Sequence, residues 1–117
     1  MIFAAKIRAT AESLGAEVRF SRNTDALIIE AIETECALVI VDLHAQKLDP
    51  FALARLLKAD ARLRGVTLLG FFSHVHTALM HQAHEAGYDQ VMPRSAFTKR
   101  LPEILEEGMN EGMRDEG

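Results

Sequence analysis

Three short apolar runs each end in residues that can do chemistry. Asp42 closes the run 37–41, and His44 follows it. Ser73, His74 and His76 follow the run 66–72, and Arg94 follows Met92-Pro93. A carboxylate at such a position can act as a nucleophile toward a phosphoryl group, with a hydroxyl nearby to bind the group transferred. Asp42, His44, His74 and His76 also make a set of N and O donors suited to Zn²⁺ or another divalent ion. His81 and His84 are spaced to share one helix face, another familiar ligand spacing.

Each of these has a plainer reading. An aspartate at a strand end accepts hydrogen bonds from nearby backbone N–H groups, a serine after a strand caps a turn, and loop histidines are solvated. No His-Glu-x-x-His or cysteine pair supports a metal site, and no Gly-x-Ser-x-Gly elbow supports Ser73 as an esterase-type nucleophile. The seven glycines are scattered, so there is no glycine-rich phosphate loop.

The elements that must position these residues alternate regularly. Phe3, Ile7 and Leu14, with Ala4 and Ala11, recur at helical spacing over 2–14, and Gly15 ends the segment. Residues 17–21 alternate polar and apolar, as a half-exposed strand does. A helix over about 24–34 is capped by Asn23 or Thr24 and buries Leu27, Ile28, Ala31 and Ile32. The 37–41 run is β-branched and unbroken, the mark of a strand covered on both faces. Asp49 and Pro50 begin the next helix, 66–72 is a second buried strand, and 77–86 is a helix stopped by Gly87. A short strand over 89–92 ends at Pro93. The last helix opens near Ser95, and Pro102 inside it predicts a restart or a kink. Residues 108–117 are rich in glycine and charge and are expected to fray.

Strict alternation with short connections implies a single α/β domain over 1–117: a three-layer α/β/α sandwich on a parallel sheet, with 37–41 and 66–72 central and 17–21 and 89–92 toward the edges. In such sheets the working site lies beyond the carboxyl ends of the strands, which is where Asp42, Ser73 and Arg94 fall.

Composition narrows the function further. The chain has 117 residues, 49% of them hydrophobic, and a net charge of −4, so it has no long-range attraction for nucleic-acid phosphates. No apolar stretch approaches the ~20 residues a membrane span needs, and the first residues lack the order of a signal peptide. The single cysteine, Cys36, excludes an intrachain disulfide and reads as a buried, inert thiol. A cytoplasmic setting is the expectation.

These residues, taken in order, resemble the response-regulator receiver family. Ala37–Asp42 looks like that family's third strand, whose terminal aspartate accepts a phosphoryl group. Val66–Ser73 resembles the fourth, which ends in a Ser or Thr that senses the phosphate. Glu85-Ala86-Gly87-Tyr88-Asp89 resembles its Ala-Gly-Ala-Asp turn, and Val91-Met92-Pro93 falls at its Lys-Pro. The resemblance implies a flavodoxin-like, receiver-like topology in which the first strand, with its acidic Mg²⁺ ligands, has no counterpart. Met92 stands at the lysine position, with Arg94 two residues away. The expectation is therefore a degenerate, non-enzymatic signalling module without a cofactor, acting on a protein partner or as a homodimer. Arg94, Lys99 and Arg100 mark the partner surface, because the family commonly uses that face. The alternatives are a phospho-accepting receiver truncated at its N-terminus, which would need Mg²⁺, or a metal-dependent module using Asp42, His44, His74 and His76. The want of a central strand adds a further expectation: either 17–21 closes against 37–41, or the open edge is covered by a second copy.

Overall fold

The computed structural model describes residues 2–16, 20, 23–34, 37–44, 49–73 and 77–114. Within them the order is α1 (Ile2–Leu14), α2 (Thr24–Thr34), β1 (Leu38–Asp42), α3 (Pro50–Ala59), a 3₁₀ turn (Ala61–Leu63), β2 (Thr67–Phe72), α4 (Thr77–Ala86), β3 (Gln90–Pro93) and α5 (Arg94–Arg114). The described strands pair in parallel in the order β1-β2-β3, with Asp42 opposite Phe71 and Phe72 opposite Pro93. Each parallel neighbour is reached through a helix, as the alternation requires. The expected strand over 17–21 falls outside the described residues apart from Phe20, which is not in a strand.

The two-residue period of the strands sorts the core into two layers. Val39, Val41, Leu68 and Phe72 point to one side, where Leu53, Ala54 and Leu57 of α3, Ala83 and Ala86 of α4 and Ala31 of α2 cover them. Leu69, Phe71 and Met92 point to the other, against Ile7 and Ala11 of α1 and Phe97, Leu101, Ile104 and Leu105 of α5. Leu38 and Ile40 face that second layer as well and are half-buried. β2 contributes fully buried residues to both clusters, and its apolar run has no polar face.

Local chemistry sets the helix ends. The Asn23 Oδ1 accepts from the Ala26 N–H at 2.8 Å, and the Asp49 carboxylate accepts from the Phe51 and Ala52 N–H groups while Pro50 occupies the first turn. Gly15 ends α1 with φ +75°, a left-handed conformation that costs glycine nothing. Pro102 neither ends nor restarts α5, which is one 21-residue helix through it. Its ring is exposed, so the carbonyl it frees at Thr98 lies on the solvent side, and Leu101, Ile104 and Leu105 hold the helix on the sheet across the proline. The helix continues over 108–114, part of the stretch expected to fray.

Candidate functional site

The strand register brings the residues singled out by the sequence to one end of the sheet. Asp42 is the last residue of β1, Ser73 lies just past β2, and Arg94 lies just past β3 as the first residue of α5. All three are exposed. The Asp42 Oδ1 accepts from the His44 N–H at 2.9 Å, which closes a tight turn, while the Leu43 N–H donates to the Phe71 carbonyl at 2.9 Å. Leu43 itself is buried, so the turn is pinned and the Asp42 carboxylate stays in solvent. His44 is exposed beside it, and His74 and His76 lie outside the described residues. Among the described residues, no group of three or more His, Cys, Asp or Glu side chains is arranged to hold a metal ion. His81, on α4, pairs with Glu85 one turn on, Nε2 to Oε1 at 2.7 Å, and His84 is exposed.

At the position that the family resemblance assigns to a lysine, the chain carries Met92, which is 7% exposed. It belongs to the cluster of Phe71, Phe97 and Leu101 beneath α5. A thioether buried among aromatics is an apolar filler and supplies no charge to the strand ends. Arg94, Lys99 and Arg100 are exposed on the first turns of α5, with the Arg100 Nε 3.8 Å from Glu103.

Three further features hold the site's frame together, and the sequence motifs did not identify them. First, the Asp89 Oδ2 accepts from the Leu68 N–H at 2.7 Å and from the Lys58 ammonium at 2.8 Å, while the Asp89 N–H donates to the Leu68 carbonyl at 2.8 Å. Lys58 also donates to the Val66 carbonyl at 3.2 Å. One carboxylate thus ties α3, the start of β2 and the entry to β3. Second, a Cβ on Gly70 would come within 2.9 Å of Leu43 and 3.1 Å of the Tyr88 ring. The bare strand at Gly70 is what lets both side chains lie flat on the sheet. Its signal in the sequence is a lone glycine inside an apolar strand, which marks a close approach.

The third feature is Tyr88, 3% exposed, whose hydroxyl donates to the Pro50 carbonyl at 2.8 Å. Burial, with a smaller effect from the Asp49 carboxylate, pushes its phenol well above the ordinary value. The neutral form is therefore the one the fold holds. Replacing Tyr88 by Phe removes this hydrogen bond from the buried Pro50 carbonyl and is expected to cost about 1 kcal/mol. The linkage also has a sign. The folded pKa lies above the unfolded one, so this contribution is complete below about pH 10 and declines as pH rises past it. Since Tyr88 is the single tyrosine of the chain, an ultraviolet titration of the native protein reads it alone. A phenol that ionises at its ordinary value in the folded protein would contradict the burial described here.

No protein-family model matches the sequence, and no curated protein matches it. Solved structures do. The signal receiver domain of a response regulator from Bermanella marisrubri superposes with a TM-score of 0.77 at 21% identity, over 92% of this chain and 89% of that one. The receiver domain of a sensor histidine kinase from Pseudomonas aeruginosa gives 0.77 at 17% identity, over 93% and 89%; its structure has a magnesium ion coordinated in the active-site cleft. A response regulator protein from Burkholderia pseudomallei, with a phosphorylated aspartic acid, calcium and citrate, gives 0.74 at 22% identity, over 99% of this chain and 67% of that one. These likenesses show the fold, the flavodoxin-like fold of receiver domains with its parallel sheet. No helix among the described residues is long and apolar enough to cross a membrane.

Proposed function

With the receiver fold as premise, we propose that this chain is a non-enzymatic signalling module that works by binding a protein partner or a second copy of itself, without accepting a phosphoryl group. Met92 is the observation that supports this most. Transfer to a carboxylate needs cationic groups to offset the charge that builds on the phosphoryl oxygens. At the position of the family's lysine, this chain buries an uncharged thioether in the core. Asp42 keeps the nucleophile's place at the end of β1, in solvent and with one oxygen engaged by the His44 N–H. A Mg²⁺ ion would require several oxygen donors in a near-octahedral set. The described residues offer no such group around Asp42. Among the described residues no donor set like one that would hold the magnesium of the Pseudomonas domain stands beside Asp42, and no step is routed through that ion.

Such a module communicates through surfaces. The exposed cations Arg94, Lys99 and Arg100 on α5 suit an acidic protein partner, in a cytoplasmic setting, and they lie where the family resemblance places a partner face. Incubation with acetyl phosphate and Mg²⁺, followed by intact-mass measurement, is expected to leave the mass unchanged. A stable gain of one phosphate that disappears in Asp42→Asn would overturn the reading in favour of a working phospho-acceptor.

A further inference from the structure

Helix α2 carries Ala26, Leu27, Ile28, Ile29, Ala31 and Ile32 in a single three-turn segment, more apolar residues than one buried face needs. Here only Ala31 is buried; Leu27, Ile28 and Ile32 rest partly on the core, and Ile29 is 57% exposed. Asp25, Ile29 and Glu33 are spaced four apart, so they form one stripe on the helix, and all three are exposed. The stripe reads acid, isoleucine, acid.

Helix α3 lies in the same layer and carries the complementary set. Leu56 is 54% exposed, Arg55 beside it is exposed, and Arg64 is exposed just beyond the 3₁₀ turn, which packs against α2. The charges are available: Asp25, Glu33, Arg55 and Arg64 have no ion-pair partner among the described residues. Their neighbours Lys58 and Arg62 are already taken up by Asp89 and Asp60.

We infer that this layer is a self-association surface, on which the Asp25–Ile29–Glu33 stripe of one copy lies against Arg55, Leu56 and Arg64 of a second. The occupant is a second copy because each chain carries both halves of a complementary pair in one helical layer. A two-fold arrangement then uses each half twice, once in each direction. The apolar residue at the middle of each half is the one to be desolvated, and the flanking charges set the register and exclude like-charged partners. This surface lies across the sheet from α5, whose side of the core is shared with α1. The inference rests on the reading that the chain acts by association, and its test separates the two.

Sedimentation velocity at low ionic strength over a range of concentrations is expected to show reversible dimers that weaken as salt is added. Ile29→Ser and Leu56→Ser, both at exposed positions, are expected to weaken association about tenfold or more while leaving the melting temperature in place. The decisive arm reverses charge. A chain with Asp25→Lys and Glu33→Lys, and another with Arg55→Glu and Arg64→Glu, should each be monomeric alone and should pair when mixed, since mixing restores both contacts. A wild-type chain that stays monomeric at every concentration, or reversed variants that dimerise as the wild type does, would overturn the inference. So would dimers that dissolve only when Arg94, Lys99 and Arg100 are reversed. A chain that stays monomeric yet binds another protein through α5 would leave the association reading intact and remove this surface alone.

Discussion

Phe97→Ala is expected to lower the stability of the protein by about 3–5 kcal/mol, the range for deleting a buried aromatic from a packed core. The reasons are local. Phe97 is 0% exposed, and its ring stacks on that of Phe71 with centroids 5.0 Å apart and planes 11° from parallel. Around it are Ile7 and Ala11 from α1, Leu69 from β2, Met92 from β3 and Leu101 from α5. Truncation removes the aromatic pair and leaves a cavity between the sheet and the layer of α1 and α5. Set against the ~5–15 kcal/mol of a small domain, the loss can approach the whole. Phe97→Leu is the informative partner variant. It keeps most of the volume, is expected to cost about 1–2 kcal/mol, and should fold. Urea unfolding followed by circular dichroism measures both. A Phe97→Ala protein as stable as the wild type would mean that α5 does not dock on the sheet in this way.

Gly87→Ala carries the second large effect, expected at about 2–3 kcal/mol. Gly87 has φ +124°, a conformation that residues with a side chain rarely adopt. A Cβ there would also stand 2.9 Å from the Lys58 Cγ. The lysine stem cannot swing away freely, because its ammonium is held by Asp89 and by the Val66 carbonyl. The strain therefore reaches the carboxylate that joins β2 to the entry of β3. Lys58 and Asp89 are both partly in solvent, so the ion pair itself adds little and backbone strain dominates. Gly65 supplies the control: its φ is ordinary and a Cβ there would meet nothing within 4 Å. Gly65→Ala is expected to be neutral or slightly stabilising. Equal melting temperatures for the two variants would sink the argument.

Most of the frame was legible in the residues. The runs at 37–41 and 66–72 read as buried strands because no polar period interrupts them, and Asp49-Pro50 and Gly15 read as helix ends because their preferences are local. The gathering of Asp42, Ser73 and Arg94 at one sheet end followed from the alternation of strand and helix alone. What the pattern did not reveal depends on distance in space. Asp89 was visible as part of a turn, yet its grip on Leu68 and Lys58 needs contacts across 21 and 31 residues of chain. The hydrogen bond from Tyr88 to Pro50 spans 38. The restart expected at Pro102 failed for a different reason: a breaker rule describes the isolated helix, whereas α5 is held on both sides of the proline by packing. The exposed Ile29 on α2 was hidden because it looks like core. Leu27, Ile28, Ala31 and Ile32 gave the buried face, and only the fold shows that Ile29 is left over.

Gly70 carries a consequence for how this protein can change over generations. The space above it is filled from both directions, by Leu43 arriving from the turn after Asp42 and by Tyr88 arriving from the entry to β3. Positions 43, 70 and 88 therefore divide a single fixed volume. A lineage can enlarge one of them only by trimming another, so each substitution is acceptable or harmful according to what the other two already hold. The turn beside Asp42 is thereby bound to the inheritance of a residue on another strand and of a tyrosine at the entry to a third.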